Sequence, residues 1–149
     1  MNNKWPMPPT LLWLSIAAMT ALHLASPVMR LIDWPWRLVG ALPVAAGVIW
    51  NIWADRLFKK HQTTVKPHLA PTSMVESGPF GLSRNPMYVG MIAITVGVAV
   101  GLGTFAPVIF PVIFAVILAV KFVPMEERSM EQAFGAAWRQ YKQRVRRWL

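Results

Sequence analysis

Four apolar stretches constrain the fold of this chain more than any other feature of its sequence. They cover about residues 9–29, 38–54, 86–102 and 105–123, and together they contain no Asp, Glu or Arg and a single Lys. A transmembrane helix needs about 20 consecutive, predominantly apolar residues. The sequence therefore predicts an all-α integral membrane protein with about four transmembrane helices.

The composition agrees with that prediction and narrows the class of protein. Hydrophobic residues make up 55% of the chain and charged residues only 14%, whereas soluble domains carry about 25% charged residues. The net charge of +9 comes largely from Lys and Arg that flank the apolar stretches, so the expected partner is the lipid bilayer and not a nucleic acid. The chain has no Cys, and its three His residues are too far apart to predict a metal site.

The charges also predict an orientation. The connector between the third and fourth stretches, Gly103-Thr104, is uncharged, so these two helices are expected to form a hairpin. Basic residues gather instead around residues 56–84 and 121–147, which the positive-inside rule assigns to the cytoplasm. Both termini, the loop of residues 61–85 and the region after residue 123 are therefore expected at the cytoplasmic face.

The cytoplasmic loop leads into the least membrane-like passage near the middle of the chain, Ser77 to Gly90. A turn rich in Gly and Pro opens this passage, and Asn85-Pro86 predicts the N-cap and first residue of the third helix. Free backbone N–H groups at a helix start suit a polar or anionic ligand, although most capped helix starts serve no ligand. Because the loop also contains Val75 and Phe80, we expect it to pack against the rest of the protein.

The region after the fourth stretch predicts a basic amphipathic helix over residues 125–148. Its apolar residues recur at alternating spacings of four and three, which places them on one helical face: Met130, Phe134, Trp138, Tyr141, Val145 and Trp148. This helix is expected to lie on the membrane surface or on the loop. It also supports an alternative function, in which a non-catalytic membrane protein binds anionic lipid or a partner through the basic helix.

Small residues in the third stretch predict a close helix contact. Ala93, Gly97 and Gly101 recur at every fourth position, a spacing that lets helices approach closely in lipid. The contact is either internal or between two copies of the chain. The sequence therefore leaves both a monomer and a homodimer open.

The predicted hairpin brings two polar features to one depth of the membrane. Tyr88 lies in the first turn of the third helix, and Glu126 and Glu127 follow shortly after the fourth. Negative charge at the start of a helix complements its dipole, which is one explanation of the paired carboxylates. They also fit a site in which Glu126 contacts a cationic or hydroxyl-rich ligand. Glu127 would then tie the loop or the tail through Arg84 or Arg128.

Two spaced motifs resemble the signature of the isoprenylcysteine carboxyl methyltransferase family, which is related to the membrane phospholipid methyltransferases. The first motif is Gly78-Pro79-Phe80 followed by Ser83-Arg84-Asn85-Pro86-Met87-Tyr88-Val89-Gly90. The second comprises Glu126-Glu127, Met130, Phe134-Gly135, Trp138, Tyr141 and Val145. Both occur in the family's order with a predicted hairpin between them, and the resemblance covers about residues 63–148.

The resemblance implies S-adenosylmethionine as the methyl donor and a lipophilic acceptor that enters from the membrane. A chain of 149 residues is long enough for one domain, so we expect residues 1–149 to form a single methyltransferase domain. The expected location is a bacterial inner membrane, with the donor held at the cytoplasmic face. Carried over by position, the donor contacts fall on Thr72, Ser73, Met74, Val75, Phe80, Asn85, Pro86, Met87, Tyr88 and Glu126. Because a sulfonium methyl group is already activated, positioning in a dry site supplies much of the rate.

The sequence departs from the family on the acceptor side. Phe122 stands where eukaryotic members place an Arg that serves the acceptor's carboxylate, so Phe122 is the candidate substrate residue. The acceptor stays open among a prenyl-cysteine, a phospholipid amine and a thiol. No catalytic group is assigned, and the candidates are Glu127, Tyr88 and Arg84. An amine or hydroxyl acceptor needs a base, for which Glu127 or Tyr88 is available.

Overall fold

The structure is a computed structural model that describes residues 6–25, 29–62 and 72–149. Its α-helices follow in chain order: α1 (Pro8–Ala25), α2 (Ala41–Lys60), α3 (Pro86–Leu102), α4 (Ile109–Ile117) and α5 (Val123–Arg144). Short 3-10 turns lie at Trp36–Gly40, Gly78–Gly81 and Ala106–Val108, and a π turn occupies Leu118–Phe122. The predicted all-α membrane fold is confirmed. Residues 63–71 of the predicted loop lie outside the described residues.

Among the described residues, three helical segments are long and apolar enough to cross a membrane: Pro8–Ala25, Trp36–Lys60 and Ala106–Arg144. α3 is also apolar but has only 17 residues. The side chains of Trp13, Leu42 and Val112, on α1, α2 and α4, are more than half exposed. Large apolar side chains on an outer surface fit contact with lipid. α2 continues to Lys60, beyond the end predicted at residue 54. The prediction marked the end of the apolar stretch, and the helix continues into the polar residues that follow it.

The longest segment continues past residue 123, where the fourth apolar stretch was predicted to end. α4, the π turn and α5 are continuous, so one segment of 39 residues, Ala106–Arg144, runs from the membrane span into the tail. Pro124 lies at the start of α5, directly after the π turn. A proline is tolerated in the first turn of a helix, and the π turn before it already departs from the α-helical hydrogen-bond pattern.

The tail differs from the predicted helix of residues 125–148 in two ways. The backbone of α5 leaves helical geometry at Gly135, where φ is +47° and ψ is −112°. Glycine adopts a positive φ without the steric cost that other residues incur, so the helix changes direction there. α5 then ends at Arg144, and Val145 is already extended. The apolar positions of the tail therefore do not lie along one continuous helix.

α2 and α3 pack closely through small residues. A Cβ added to Gly97 of α3 would lie 2.6 Å from Val44 Cγ2 and 2.8 Å from the Val44 backbone nitrogen. Gly97 therefore serves an internal helix contact, one of the two alternatives that the sequence leaves open. At Gly101 an added Cβ would meet no described atom within 4 Å.

At the end of the bundle opposite the loop, residues 29–37 hold the turn of the hairpin. The Leu31 N–H donates to Gly103 O at 2.9 Å. The His23 ring at the end of α1 pairs with the hydroxyl of Thr104, with Nδ1 and Oγ1 2.9 Å apart, because the hairpin turn lies against the end of α1. These contacts fix the relative height of α3 and α4.

Two buried apolar clusters place the polar residues of the candidate site. The first, which we call the hairpin core, joins α1, α3 and the longest segment: Leu12, Tyr88, Met91, Phe114, Leu118, Phe122 and Val123. The second, the loop core, joins α2 to the loop: Ala54, Val75 and Phe80. The described part of the loop therefore packs against the helices, as its apolar residues predict.

Candidate functional site

The loop approaches the site through a 3-10 turn that packs against α2. Gly78 has a φ of +60°, and a Cβ added there would lie 2.9 Å from the Leu57 side chain and 3.1 Å from that of Trp53. The rings of Phe80 and Phe58 are in contact, with centroids 4.7 Å apart. Phe80 is only 6% exposed. The loop core thus fixes the turn and leaves the Phe80 ring no open face for a ligand.

The residues directly before α3 are tied to the segment that follows α5. The Arg84 N–H donates to Arg146 O at 2.9 Å. The Ser83 hydroxyl and the Asn85 side-chain amide both donate to Arg147 O, at 3.1 and 3.0 Å. The prediction that Asn85 caps α3 with its side chain is therefore wrong. That side chain is engaged by the tail, and α3 has no side-chain cap in the described part of the chain.

Tyr88 and Glu126 are in contact, as the predicted hairpin requires. The Tyr88 hydroxyl donates a hydrogen bond to Glu126 Oε1. Tyr88 is 5% exposed, and its ring belongs to the hairpin core together with Phe122. A buried carboxyl group is costly unless a polar partner satisfies it. The phenol supplies that partner at the boundary between the apolar core and the polar loop.

The neighbouring carboxylate, Glu127, is bound by two arginines. Arg147 donates from Nε to Glu127 Oε1 at 3.1 Å and from Nη2 to Oε2 at 2.7 Å. Arg84 Nη1 lies 3.1 Å from the same Oε1, and the Arg84 and Glu127 side chains are 11% and 12% exposed. The expected tie between Glu127 and Arg84 is present. Both carboxylate oxygens are engaged, so Glu127 links the loop to the tail.

Buried N–H donors without a hydrogen-bond partner lie beside this ion-pair group. Arg84 Nε and Trp138 Nε1 are buried and make no hydrogen bond within the described residues. Arg84 Nη1 is close enough to Glu127 for an ion pair but is not aligned for a hydrogen bond. The Arg84 guanidinium lies over the Trp138 ring, 6.0 Å from its centroid. An unpaired buried donor costs about 1–3 kcal/mol, so polar atoms of a ligand or of water would be stabilised here.

Tyr141 fastens the tail to the turn of the loop. Its hydroxyl donates to Phe80 O at 2.6 Å, and the side chain is buried. Next to it, Arg144 Nη2 donates to the Glu76 carboxylate at 2.6 Å. The part of the tail beyond Gly135 therefore lies on the loop, which is one of the two positions that the sequence predicts for it.

Sequence reasoning did not identify Ser83, Tyr141 and Arg147 as polar contacts of this region. One signal was available, because the chain has only two tyrosines and both donate their hydroxyl groups here. In an apolar chain that contains many Phe and Trp residues, a Tyr indicates that the hydroxyl group itself is required at that position. Arg147 carries no such signal, since it is one of several basic residues in the tail.

The remaining predicted site residues lie at differing depths. The hydroxyls of Thr72 and Ser73 donate to Gln62 O and His61 O, at 3.0 and 2.9 Å, at the end of α2. Five others range from half-buried to buried around the two cores: Met74, Val75, Pro86, Met87 and Phe122. Phe122, the candidate substrate residue, is 1% exposed and packs within the hairpin core.

Comparison with known proteins agrees with this arrangement. The model of the phospholipid methyltransferase family matches residues 36–137, which is more than half of the chain. The matched range contains the loop, α3, Glu126 and Glu127, and membership implies methyltransferase activity on a lipid-related substrate. No curated protein and no solved structure matches the chain. With the motifs, the helical hairpin and the family match in agreement, the chain belongs to the phospholipid methyltransferase family.

Proposed function

We propose that this protein transfers a methyl group from S-adenosylmethionine to a lipophilic acceptor at the cytoplasmic face of the membrane. The observation that carries the proposal is the contact between Tyr88 and Glu126, which places a hydrogen-bonded carboxyl group at the end of the hairpin core. Family membership supports methyl transfer. We propose that the acceptor enters from the bilayer, because the cluster that surrounds the Tyr88 ring is apolar.

The polar groups near the pair fit those of the proposed donor. S-adenosylmethionine carries a carboxylate, an ammonium group and ribose hydroxyls. The unpaired N–H groups of Arg84 and Trp138 suit the carboxylate, and Glu126 suits the ammonium group or a hydroxyl. When bound, the donor supplies a methyl group that its positively charged sulfur has already activated.

The loop and the start of α3 are proposed to hold the rest of the donor. This part of the proposal rests on residues carried over from the family motif: Thr72, Ser73, Met74, Val75, Phe80, Asn85, Pro86 and Met87. Since the Phe80 ring is enclosed by the loop core, its part in binding is to fix the turn and not to stack on adenine.

The protein contributes to the reaction by positioning the donor and the acceptor and by removing a proton from the acceptor. An amine acceptor must lose a proton when it gains a methyl group. Glu126 lies at the apolar end of the site, and within the described residues its Oε1 accepts a hydrogen bond only from the Tyr88 phenol, so we propose the Tyr88–Glu126 pair as the proton acceptor. Glu127 is a weaker candidate because both of its oxygens accept from guanidinium groups. Its role, with Arg84, is to position the loop.

The acceptor side favours a lipid amine over a prenyl-cysteine carboxylate. Phe122 offers no positive charge to a carboxylate, and it is buried in the core that contains Tyr88. The lipid-related substrate implied by the family agrees with this choice. We further propose a bacterial inner membrane with both termini in the cytoplasm, since basic residues gather at the end of the bundle that carries the site.

Binding of S-adenosylhomocysteine, the demethylated donor, tests the proposal directly. Isothermal titration of the purified protein in detergent should give saturable binding at one site. Glu126→Gln should lose most of it. Glu131→Gln should not, because Glu131 pairs with exposed residues of the tail, Arg139 and Lys142. Transfer of a labelled methyl group to vesicles that contain phosphatidylethanolamine then tests the acceptor class. Absence of binding by folded wild-type protein would reject the proposal.

Non-catalytic lipid binding by the basic tail has less support. Arg139, Arg144 and Arg147 each form an ion pair with a carboxylate of the protein itself. Part of the positive charge that such binding requires is therefore neutralised within the chain. Removal of Arg139 and Lys142 distinguishes the two functions, since only the lipid-binding function depends on them.

A further inference from the structure

One segment after the end of α5 contacts both halves of the candidate site. Val145 is extended, with φ −119° and ψ 132°, so the chain leaves the axis of α5 there. Residues 145–147, which we call the strap, then run beside the residues that precede α3. The carbonyls of Arg146 and Arg147 accept hydrogen bonds from Arg84 and from Ser83 and Asn85.

The side chain of the same strap residue reaches the other half of the site. The Arg147 guanidinium donates two hydrogen bonds to Glu127, at 3.1 and 2.7 Å. Two parallel N–H···O contacts fix orientation as well as distance. Glu127 is the residue directly after Glu126, and Asn85 lies three residues before Tyr88. Arg147 therefore connects the backbone on either side of the Tyr88–Glu126 contact.

We propose that Arg147 is a positioning residue, which sets the spacing between Tyr88 and Glu126 and thereby the affinity of the donor site. This inference rests on the proposed function. Arg147 lies beyond residues 36–137, so the family match assigns it no role.

A purely structural role for Arg147 makes a different prediction. Arg147 is 44% exposed, and exposed ion pairs contribute little to stability. A structural role would therefore resemble that of another exposed pair in the tail, between Arg139 and Glu131. Positioning instead predicts a change in donor affinity that is larger than the change in stability. The pair at Arg139 supplies the matched control, since in the described part of the chain the hydrogen bond and ion pair of Arg139 go to Glu131.

The first experiment compares Arg147→Gln, Arg147→Lys and Arg139→Gln by titration with S-adenosylhomocysteine. Loss of a charge-assisted contact predicts that Arg147→Gln weakens binding about tenfold. Arg147→Lys, which keeps the charge but loses the bidentate geometry, should fall between that variant and wild type. Arg139→Gln should bind within about twofold of wild type. Equal binding by Arg147→Gln and wild type, or equal weakening by both Gln variants, would overturn the proposal.

The second experiment does not depend on the donor. Hydrogen exchange in its absence should be faster at the Arg84 amide in Arg147→Gln than in wild type, because the carbonyl that accepts from this amide belongs to the strap. Arg139→Gln should leave that amide unchanged. If wild type binds no donor, the proposed function fails, while faster exchange still supports positioning by Arg147. Unchanged exchange in Arg147→Gln rejects it.

A further variant covers the case in which Arg147→Gln does not fold. Ser83→Ala removes the hydrogen bond to the Arg147 carbonyl, together with the one that the Ser83 hydroxyl accepts from the Asn85 N–H, and keeps the guanidinium. It should weaken donor binding in the same direction by a smaller factor and speed exchange at Arg84. Wild-type binding and exchange in both Ser83→Ala and Arg147→Lys would reject the inference.

Discussion

Glu126 and Glu127 are adjacent in the sequence but have opposite surroundings. Glu126 accepts a hydrogen bond from Tyr88 at the end of the hairpin core, whereas Glu127 is bound by Arg84 and Arg147. Neighbouring residues of a helix point about 100° apart, so one turn presents one carboxyl group to apolar surroundings and the other to a polar junction. The partners of the two groups, and not their residue type, distinguish the chemical role proposed for Glu126 from the structural role proposed for Glu127.

The largest expected effect is the loss of methyl transfer in Glu126→Gln. Gln keeps an oxygen for the Tyr88 hydroxyl, so the unfolding temperature should stay close to that of wild type. Removal of a proton acceptor should lower kcat/KM by at least about 100-fold. Transfer of a labelled methyl group to lipid vesicles measures it. Activity within a few-fold of wild type would remove the distinction between the two carboxylates.

The opposite pattern is expected for Glu127→Gln. This change leaves Arg84 and Arg147 without their anion and should lower the free energy of unfolding by about 2 kcal/mol. At saturating donor, kcat should remain close to that of wild type because no reacting group is lost. Chemical unfolding in detergent and steady-state kinetics provide the two measurements. A stable but inactive variant would exchange the roles assigned to Glu126 and Glu127.

Tyr88→Phe sharpens the comparison by removing the partner of Glu126 alone. The ring that packs in the hairpin core is retained, and the hydrogen bond to Glu126 is lost. We expect kcat/KM to fall about tenfold, as for one hydrogen bond to a charged group. In a double mutant with Glu126→Gln the second change should add little. Additive losses in this cycle would mean that the two groups act separately.

The smallest expected effect is a loss of stability at the contact between α2 and α3. It serves as a reference against which the effects of the site variants are compared. Gly97→Ala places a methyl group against Val44 and should destabilise the protein by about 1 kcal/mol. Gly101→Ala is the matched control, because its added Cβ meets no described atom within 4 Å. Neither change should alter kcat. If Gly97→Ala lowers activity as much as Glu126→Gln, the loss in the latter does not report chemistry.

The fold and the contact between Tyr88 and Glu126 could be predicted from the sequence because local sequence signals determine them. Apolar length and the Asn85-Pro86 helix start predict residues 86–102 for α3, which are the bounds observed. A short uncharged turn predicts the hairpin, and the hairpin in turn brings Tyr88 to Glu126.

The features that sequence did not predict depend on distant backbone atoms. The strap is held largely by carbonyl oxygens, which every residue possesses, so no residue type marks it. The positive φ of Gly135 interrupts the helix that was predicted over residues 125–148. Beyond Gly135 the chain is stabilised by contacts with a loop some sixty residues earlier, such as the hydrogen bond from Tyr141 to Phe80. Local propensities carry no information about such distant contacts.

The π turn at Leu118–Phe122 determines which side chain faces Tyr88. A π turn holds one residue more than the α-helical turn it replaces, and one residue corresponds to about 100° of rotation. Everything after the turn is therefore rotated relative to the apolar face of α4. In an uninterrupted α-helix of the same sequence, Met125 would take the direction that Glu126 now has. The rotation that the π turn introduces thus determines whether Tyr88 faces the carboxyl group of Glu126 or the thioether of Met125.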